Sequence, residues 1–144
     1  MLENLEPKRV FHFFEEICQI PHGSGNVEQI SNYLAAFAKE RGLFCIQDEL
    51  KNIVMIKPAS AGYEDEPAVI LQGHMDMVAV KTPDCDLDMA KEGLRVRTDG
   101  KKVYAEGTSL GGDDGIAVAY ALAILDDDSL QHPKLEVVIT VDEE

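Results

Sequence analysis

Ala68–Val78 reads AVILQGHMDMV, and the fold is decided here. A short apolar run ends in His74, one intervening residue, and Asp76. Alternate residues of an extended strand share a face, so His74 and Asp76 point the same way where a strand meets water. In open α/β sheets that end of a strand is where ligand chemistry collects. An imidazole backed by a carboxylate suits a metal ligand held in one tautomer. The same pair also suits a strand end whose two polar residues face solvent, and the downstream sequence has to choose.

Outward from that stretch, Leu135–Val141 is a second β-prone run, delivering Asp142, Glu143 and Glu144. Between the two lies Gly107-Thr108-Ser109-Leu110-Gly111-Gly112-Asp113-Asp114-Gly115, running into the apolar IAVAYALAIL of Ile116–Leu125. Apolar nearly all round, that segment predicts a helix packed deep in the structure. Strand, helix and strand in this order predict a parallel pair joined by a right-handed crossover. Both strand ends and the glycine-rich loop then meet at one sheet edge. Carboxylates crowded there cannot all stay ionised without raised pKa values or a cation. Two divalent metals roughly 3.5–4 Å apart, bridged by one carboxylate, would resolve the conflict. Taken singly, the Asp113 loop is also a helix-capping turn, and Glu143-Glu144 a solvated charged end. Convergence of all three segments favours the metal.

The unbroken Ala68–Leu71 run predicts a strand buried on both faces. N-terminal to it, Val10, Phe11, Phe14, Ile17 and Cys18 recur at helical spacing after Pro7, and Pro21 stops that helix. A second helix follows, with Asn26 as cap, Gln29 reaching back to it, and Gly42 at its end. Its stripe is Val27, Ile30, Leu34, Phe37 and Ala38. The linker Pro21-His22-Gly23-Ser24-Gly25 is turn chemistry, with His22 read as solvent-exposed. Leu43–Gln47 and Asn52–Lys57 predict an antiparallel pair, and Leu94–Arg97 with Lys102–Ala105 a small hairpin. Asp126-Asp127-Asp128 opposes the helix dipole and is expected beyond the last turn.

Length and composition set outer bounds. The 144 residues fit one domain, 45% hydrophobic and 28% charged. A net charge of −14 argues against nucleic acid and against docking on anionic membrane. The three cysteines form no close pairing and read as free thiols of a reducing compartment. With no signal-like start and no membrane-length apolar run, a soluble, cytoplasmic protein is expected. Asp84, Asp86 and Asp88 imitate a calcium loop, but Met89 stands where glycine is needed and Arg95 where an acidic ligand is needed.

Taken together, ICQIPHGSGNVEQISNYLAAFAKERG, KNIVMIKPASAG, LQGHMDMV, GTSLGGDDGIAVAYALAIL and LEVVITVDEE resemble the N-terminal part of bacterial aminoacyl-histidine (cytosol non-specific) dipeptidases. These are di-zinc metallopeptidases of the carboxypeptidase G2 and aminoacylase-like superfamily. The resemblance covers essentially the whole chain. It implies a three-layer α/β catalytic domain, a mixed sheet with helices on both faces, of which residues 1–144 are the N-terminal half. It implies that His74 ligates one zinc, Asp113 bridges two, and Glu144 ligates the second. Asp76 would orient His74, a cis peptide bond would precede residue 114, and Glu143 would be the general base. Substrates would be Xaa-His and other small dipeptides, and the full-length parent a homodimer. Asp114 stands where these dipeptidases often have Asn, which adds a charge beside the bridge.

The resemblance also implies two further ligands, an Asp soon after the glutamate pair and a distal His. None of His12, His22 and His132 matches, so the chain alone is expected to be inactive and to bind zinc weakly. Two other readings remain. One is a different superfamily amidohydrolase, such as a tripeptidase, acylase or deacetylase. The other is a non-enzymatic acidic α/β module that binds a partner through an unpaired edge at Leu135–Val141.

Overall fold

The computed structural model describes residues 1–144. Helix α1 spans Lys8–Cys18 and buries Val10, Phe13, Phe14, Ile17 and Cys18; Phe11, expected in that stripe, is half-buried beside it. Helix α2, Glu28–Glu40, buries Ile30, Ser31, Leu34, Phe37 and Ala38. The predicted capping box does not form. Val27 precedes the helix without a side-chain cap, because the Asn26 amide is drawn off to donate to the Ala90 carbonyl at 3.1 Å. The C-terminal end is as expected: Gly42 is left-handed at φ +66, and the Leu43 N–H closes onto the Ala38 carbonyl at 2.9 Å.

Strands β1 (Phe44–Gln47) and β2 (Ile53–Lys57) form the predicted antiparallel pair. Strand β3 is Val69–His74. Strands β4 (Val96–Thr98) and β5 (Val103–Ala105) make the predicted hairpin, a separate two-stranded sheet. Helix α3 runs Gly112–Asp126 and leads to β6, Leu135–Thr140. The main sheet has order β1-β2-β6-β3. β6 pairs antiparallel with β2 and parallel with β3, His74 lying opposite Thr140. The β3–α3–β6 crossover therefore brings both strand ends to the same edge.

This order overturns two expectations. β6 is interior, hydrogen-bonded on both sides, so Leu135–Val141 offers no unpaired edge for a partner. β3 is the outer strand instead, and its first half is not doubly buried: Ile70 is 63% exposed. The α/β class and the mixed sheet hold, but the layering differs. Ile53, Met55, Leu135, Val137 and Ile139 share one face with residues of all three helices in a single core cluster. The opposite face, with Val54, Ile56 and Val138 half-buried and Phe44, Ile46 and Ile70 exposed, carries none of these helices. The layer expected there is not supplied by these 144 residues.

On the covered face, Phe13 of α1 meets Phe37 of α2 edge to face at 5.5 Å, a favourable aromatic arrangement. The Arg41 guanidinium lies 3.7 Å over the Phe37 ring. It also pairs with Asp126 at 2.8 Å, and Arg9 pairs with the same carboxylate. Asp126 is thus the last residue of α3 rather than beyond it, because two guanidinium groups offset its conflict with the dipole. In the acidic loop Arg95 bridges to Asp86 at 2.9 Å, a cation of the chain's own at the failed calcium motif. Cys18, Cys45 and Cys85 are unbonded, and burial pushes the Cys18 thiol up to about 12. No helix is long and apolar enough to cross a membrane.

Candidate metal centre

β3 ends at His74, and the ladder continues for one more bond as the Met75 N–H donates to the Thr140 carbonyl at 2.9 Å. His74 and Asp76 do share a face, but both are buried rather than wet, at 6% and 1% exposure. His74 Nδ1 lies 3.2 Å from Asp76 Oδ1 and 3.0 Å from the Asp76 carbonyl oxygen. Two acceptors on one nitrogen require it to carry the proton, so Nε2 is left to act as a ligand. Nε2 faces Asp113 Oδ1 at 3.0 Å and Glu143 Oε2 at 3.8 Å. One donor atom each from His74, Asp113 and Glu144 falls within a 4.8 Å cluster.

Asp113 reaches this point because the loop before α3 turns sharply. Gly111 is left-handed at φ +72, and a Cβ there would lie 2.8 Å from the Met77 sulfur, so only glycine fits. The Asp113–Asp114 peptide is cis. Asp114 does not face the cluster. Its Oδ2 accepts the His74 backbone N–H at 3.2 Å, over Gly73, where a Cβ would sit 2.9 Å from that oxygen. The Asp114 side chain thus ties the loop to β3. From the other strand, the Glu143 and Glu144 N–H groups donate to Asp76 Oδ1 and Oδ2, each at 3.1 Å.

Burial pushes the Asp76 carboxyl up, but hydrogen bonds from Ser24, Glu143, Glu144 and His74 outweigh it and hold the group below the usual carboxylate range. Burial pulls the His74 imidazole down. The Asp113 carboxylate, the Asp76 carbonyl, the Asp114 charge and the Asp76 carboxylate prevail, and the net shift is upward.

All five residues singled out in the sequence, His74, Asp76, Asp113, Glu143 and Glu144, meet at this edge. His22 and His132 do not. His22 is not solvent-exposed, contrary to its reading as an exposed turn histidine, and His132 is buried as well. His22 is 3% exposed with Nδ1 donating to the Ile20 carbonyl at 2.6 Å, and His132 is buried beside Pro133 and Ser60. His12 pairs with Glu16 on the α1 surface. Two supporting residues were not apparent in the sequence. Ser24 Oγ donates to Asp76 Oδ2 at 2.7 Å, and Asn52 Oδ1 accepts the Val141 N–H at 2.8 Å, just before Asp142 turns into a left-handed conformation at φ +54. Both contacts join segments distant in sequence and leave no local pattern.

A parallel strand pair whose ends present an imidazole and several carboxylates places a candidate metal centre at one edge of an α/β sheet, and the chain is similar over its whole length to bacterial peptidases. It is 43% identical over 143 residues to the cytosol non-specific dipeptidase of Escherichia coli, covering 99% of this chain and 30% of that protein. The crystal structure of aminoacylhistidine dipeptidase from Vibrio alginolyticus superposes with a TM-score of 0.96 at 38% identity, over 100% of this chain and 29% of that one. A tripeptidase from Staphylococcus aureus gives a TM-score of 0.75 at 26% identity, over 94% of this chain and 36% of that one. No protein-family profile matches. The resemblance read from the sequence motifs is borne out, and the chain spans about 30% of the length of the curated relative.

Proposed function

We propose that these residues form the N-terminal part of the catalytic domain of a zinc-dependent dipeptidase acting on Xaa-His and other small dipeptides. The observation that carries this reading is the convergence of His74, Asp113 and Glu144 within 4.8 Å, with Asp76 fixed behind the imidazole. A nitrogen ligand of defined tautomer among carboxylates fits zinc. In this reading His74, Asp113 and Glu144 would together hold a pair of metal ions. Zinc bound there supplies Lewis acidity toward the scissile carbonyl and toward water. Asp76 keeps His74 Nδ1 protonated and Nε2 free. Glu143, with Oε2 at the rim of the cluster, takes a proton from the attacking water and returns it to the leaving amine nitrogen.

Zinc sites take at least three protein ligands as a rule. The triad of this chain falls short of that for two ions, so the remaining ligands are proposed to lie in sequence that the longer relatives also possess. The 144 residues alone are then expected to bind zinc weakly and to turn over no dipeptide. A homodimeric, cytoplasmic full-length protein belongs to the same proposal. Zinc analysis paired with hydrolysis of carnosine and other Xaa-His dipeptides tests it, comparing this chain with the full-length protein. Stoichiometric zinc and turnover in the full-length protein, both lost in His74→Ala and Asp113→Ala, are expected. Metal-independent hydrolysis, or undiminished zinc in those variants, defeats it. Faster cleavage of tripeptides or acyl amino acids would move the substrate and leave the centre.

A further inference from the structure

The linker between α1 and α2 does more than turn the chain. Pro21–Gly25 lies alongside the segment that continues from β3. The Met77 N–H donates to the His22 carbonyl and the Ser24 N–H to the Met77 carbonyl, both at 3.1 Å. At this crossing Gly23 has no room for a side chain, since a Cβ would lie 2.9 Å from that of Ala79. The close approach sets Ser24 Oγ 2.7 Å from Asp76 Oδ2.

The Asp76 carboxylate then meets four donors. Oδ2 accepts from Ser24 and the Glu144 N–H, and Oδ1 from the Glu143 N–H and His74 Nδ1. A carboxylate has about four lone-pair positions, so the set is full. Three of the four donors belong to the residues proposed to bind metal or move the proton. Ser24 is different. Its backbone is pinned to Met77 independently of the cluster, so it is the fixed reference among the four. Carboxylate torsions are otherwise broad, and a carboxylate held only by the groups it orients would orient them poorly.

We propose that Ser24 is a positioning residue of the metal centre. Its hydroxyl fixes the Asp76 carboxylate, and through it both the His74 imidazole and the backbone that presents Glu143 and Glu144. This rests on reading the cluster as the metal centre, so the test separates the two ideas. Ser24→Ala and Ser24→Thr are made in the full-length protein and compared with its unaltered form, after thermal unfolding confirms that each is folded. The imidazole nitrogen resonances of His74 are read in metal-free protein, and Co2+ is then titrated and followed by the same spectra. Ser24→Ala should move both nitrogens toward their tautomer-averaged positions and weaken Co2+ binding about tenfold, the lower end of what loss of a supporting contact costs. Ser24→Thr, which keeps the hydroxyl, should restore both. Unchanged nitrogen resonances in Ser24→Ala, as when water takes the place of the hydroxyl, overturn the role of Ser24. So does a Thr variant that behaves like Ala. Absence of Co2+ uptake by the unaltered full-length protein instead overturns the metal reading, whatever the nitrogens do.

Discussion

At the scale of single residues, Asp76 links more of the site than any ligand does. Its side chain is fully buried, and every hydrogen bond that it makes runs inward from a donor. Asp76→Asn turns one acceptor into a donor facing donors, leaving at least one N–H or O–H unpaired in a dry setting. The expected loss is about 3 kcal/mol in urea unfolding, the size of a charged hydrogen bond plus a stranded polar group. A loss below about 0.5 kcal/mol, the level of ordinary surface changes, would show that Asp76 is not held as described. Gly73→Ala acts from the other side. Its Cβ would displace Asp114 Oδ2 and break the bond to the His74 N–H. A cost of about 1–3 kcal/mol is expected, with weaker Co2+ binding; unchanged stability and binding would mean that Asp114 can move freely. The sequence shows His74 and Asp76 because a two-residue spacing on a strand is a local rule. Ser24 escapes it, since its place depends on a linker crossing a strand extension that is adjacent only after folding.

At the scale of elements, α3 illustrates how a local rule is overridden by neighbours. Its apolar run announces a buried helix, and the dipole argument puts the three aspartates past its end. Asp126 nevertheless completes the helix, because Arg9 from α1 and Arg41 from α2 reach it. Burial raises the Asp126 carboxyl, but the bonds and charges of Arg41 and Arg9 overcome this, and the net shift is downward. The sign follows. A carboxyl depressed in the folded state stabilises the protein above its unfolded pKa, and the contribution is lost as pH falls through the folded value. Asp126→Asn should therefore cost about 1 kcal/mol near neutrality, and its deficit should shrink as the solution is acidified below the usual carboxylate range. Urea unfolding of both proteins across that range checks it; a deficit that is constant or grows toward acid contradicts the pairing. The capping box fails for a related reason. Asn26 has the right spacing for a cap, but its amide finds the Ala90 carbonyl of a loop that no local pattern brings near.

For the whole molecule, strand order is the property least visible in the sequence. The strand–helix–strand frame predicts that β3 and β6 are parallel neighbours, and they are. It does not say that the early β1–β2 pair attaches to β6, which makes β6 interior and leaves β3 outside. The result is a sheet covered by helices on one face, with Phe44, Ile46 and Ile70 exposed on the other. That apolar face sits on a chain with net charge −14. Excess like charge destabilises a compact state while keeping copies apart. Salt shortens the range of both effects to about 10 Å at 0.1 M. Sodium chloride added from low ionic strength should therefore raise the thermal midpoint by about 2–4 °C, equivalent to about 1 kcal/mol for a domain of this size. It should also increase self-association, read by light scattering. Ile70→Lys separates the two. It removes apolar area from the open face and one unit of net negative charge, so association should fall while most of the salt-dependent rise in midpoint persists. A midpoint that is flat or falling with salt would mean that the carboxylates are compensated locally, as Asp126 is. Salt-induced association undiminished in Ile70→Lys would place the sticky surface elsewhere on the molecule.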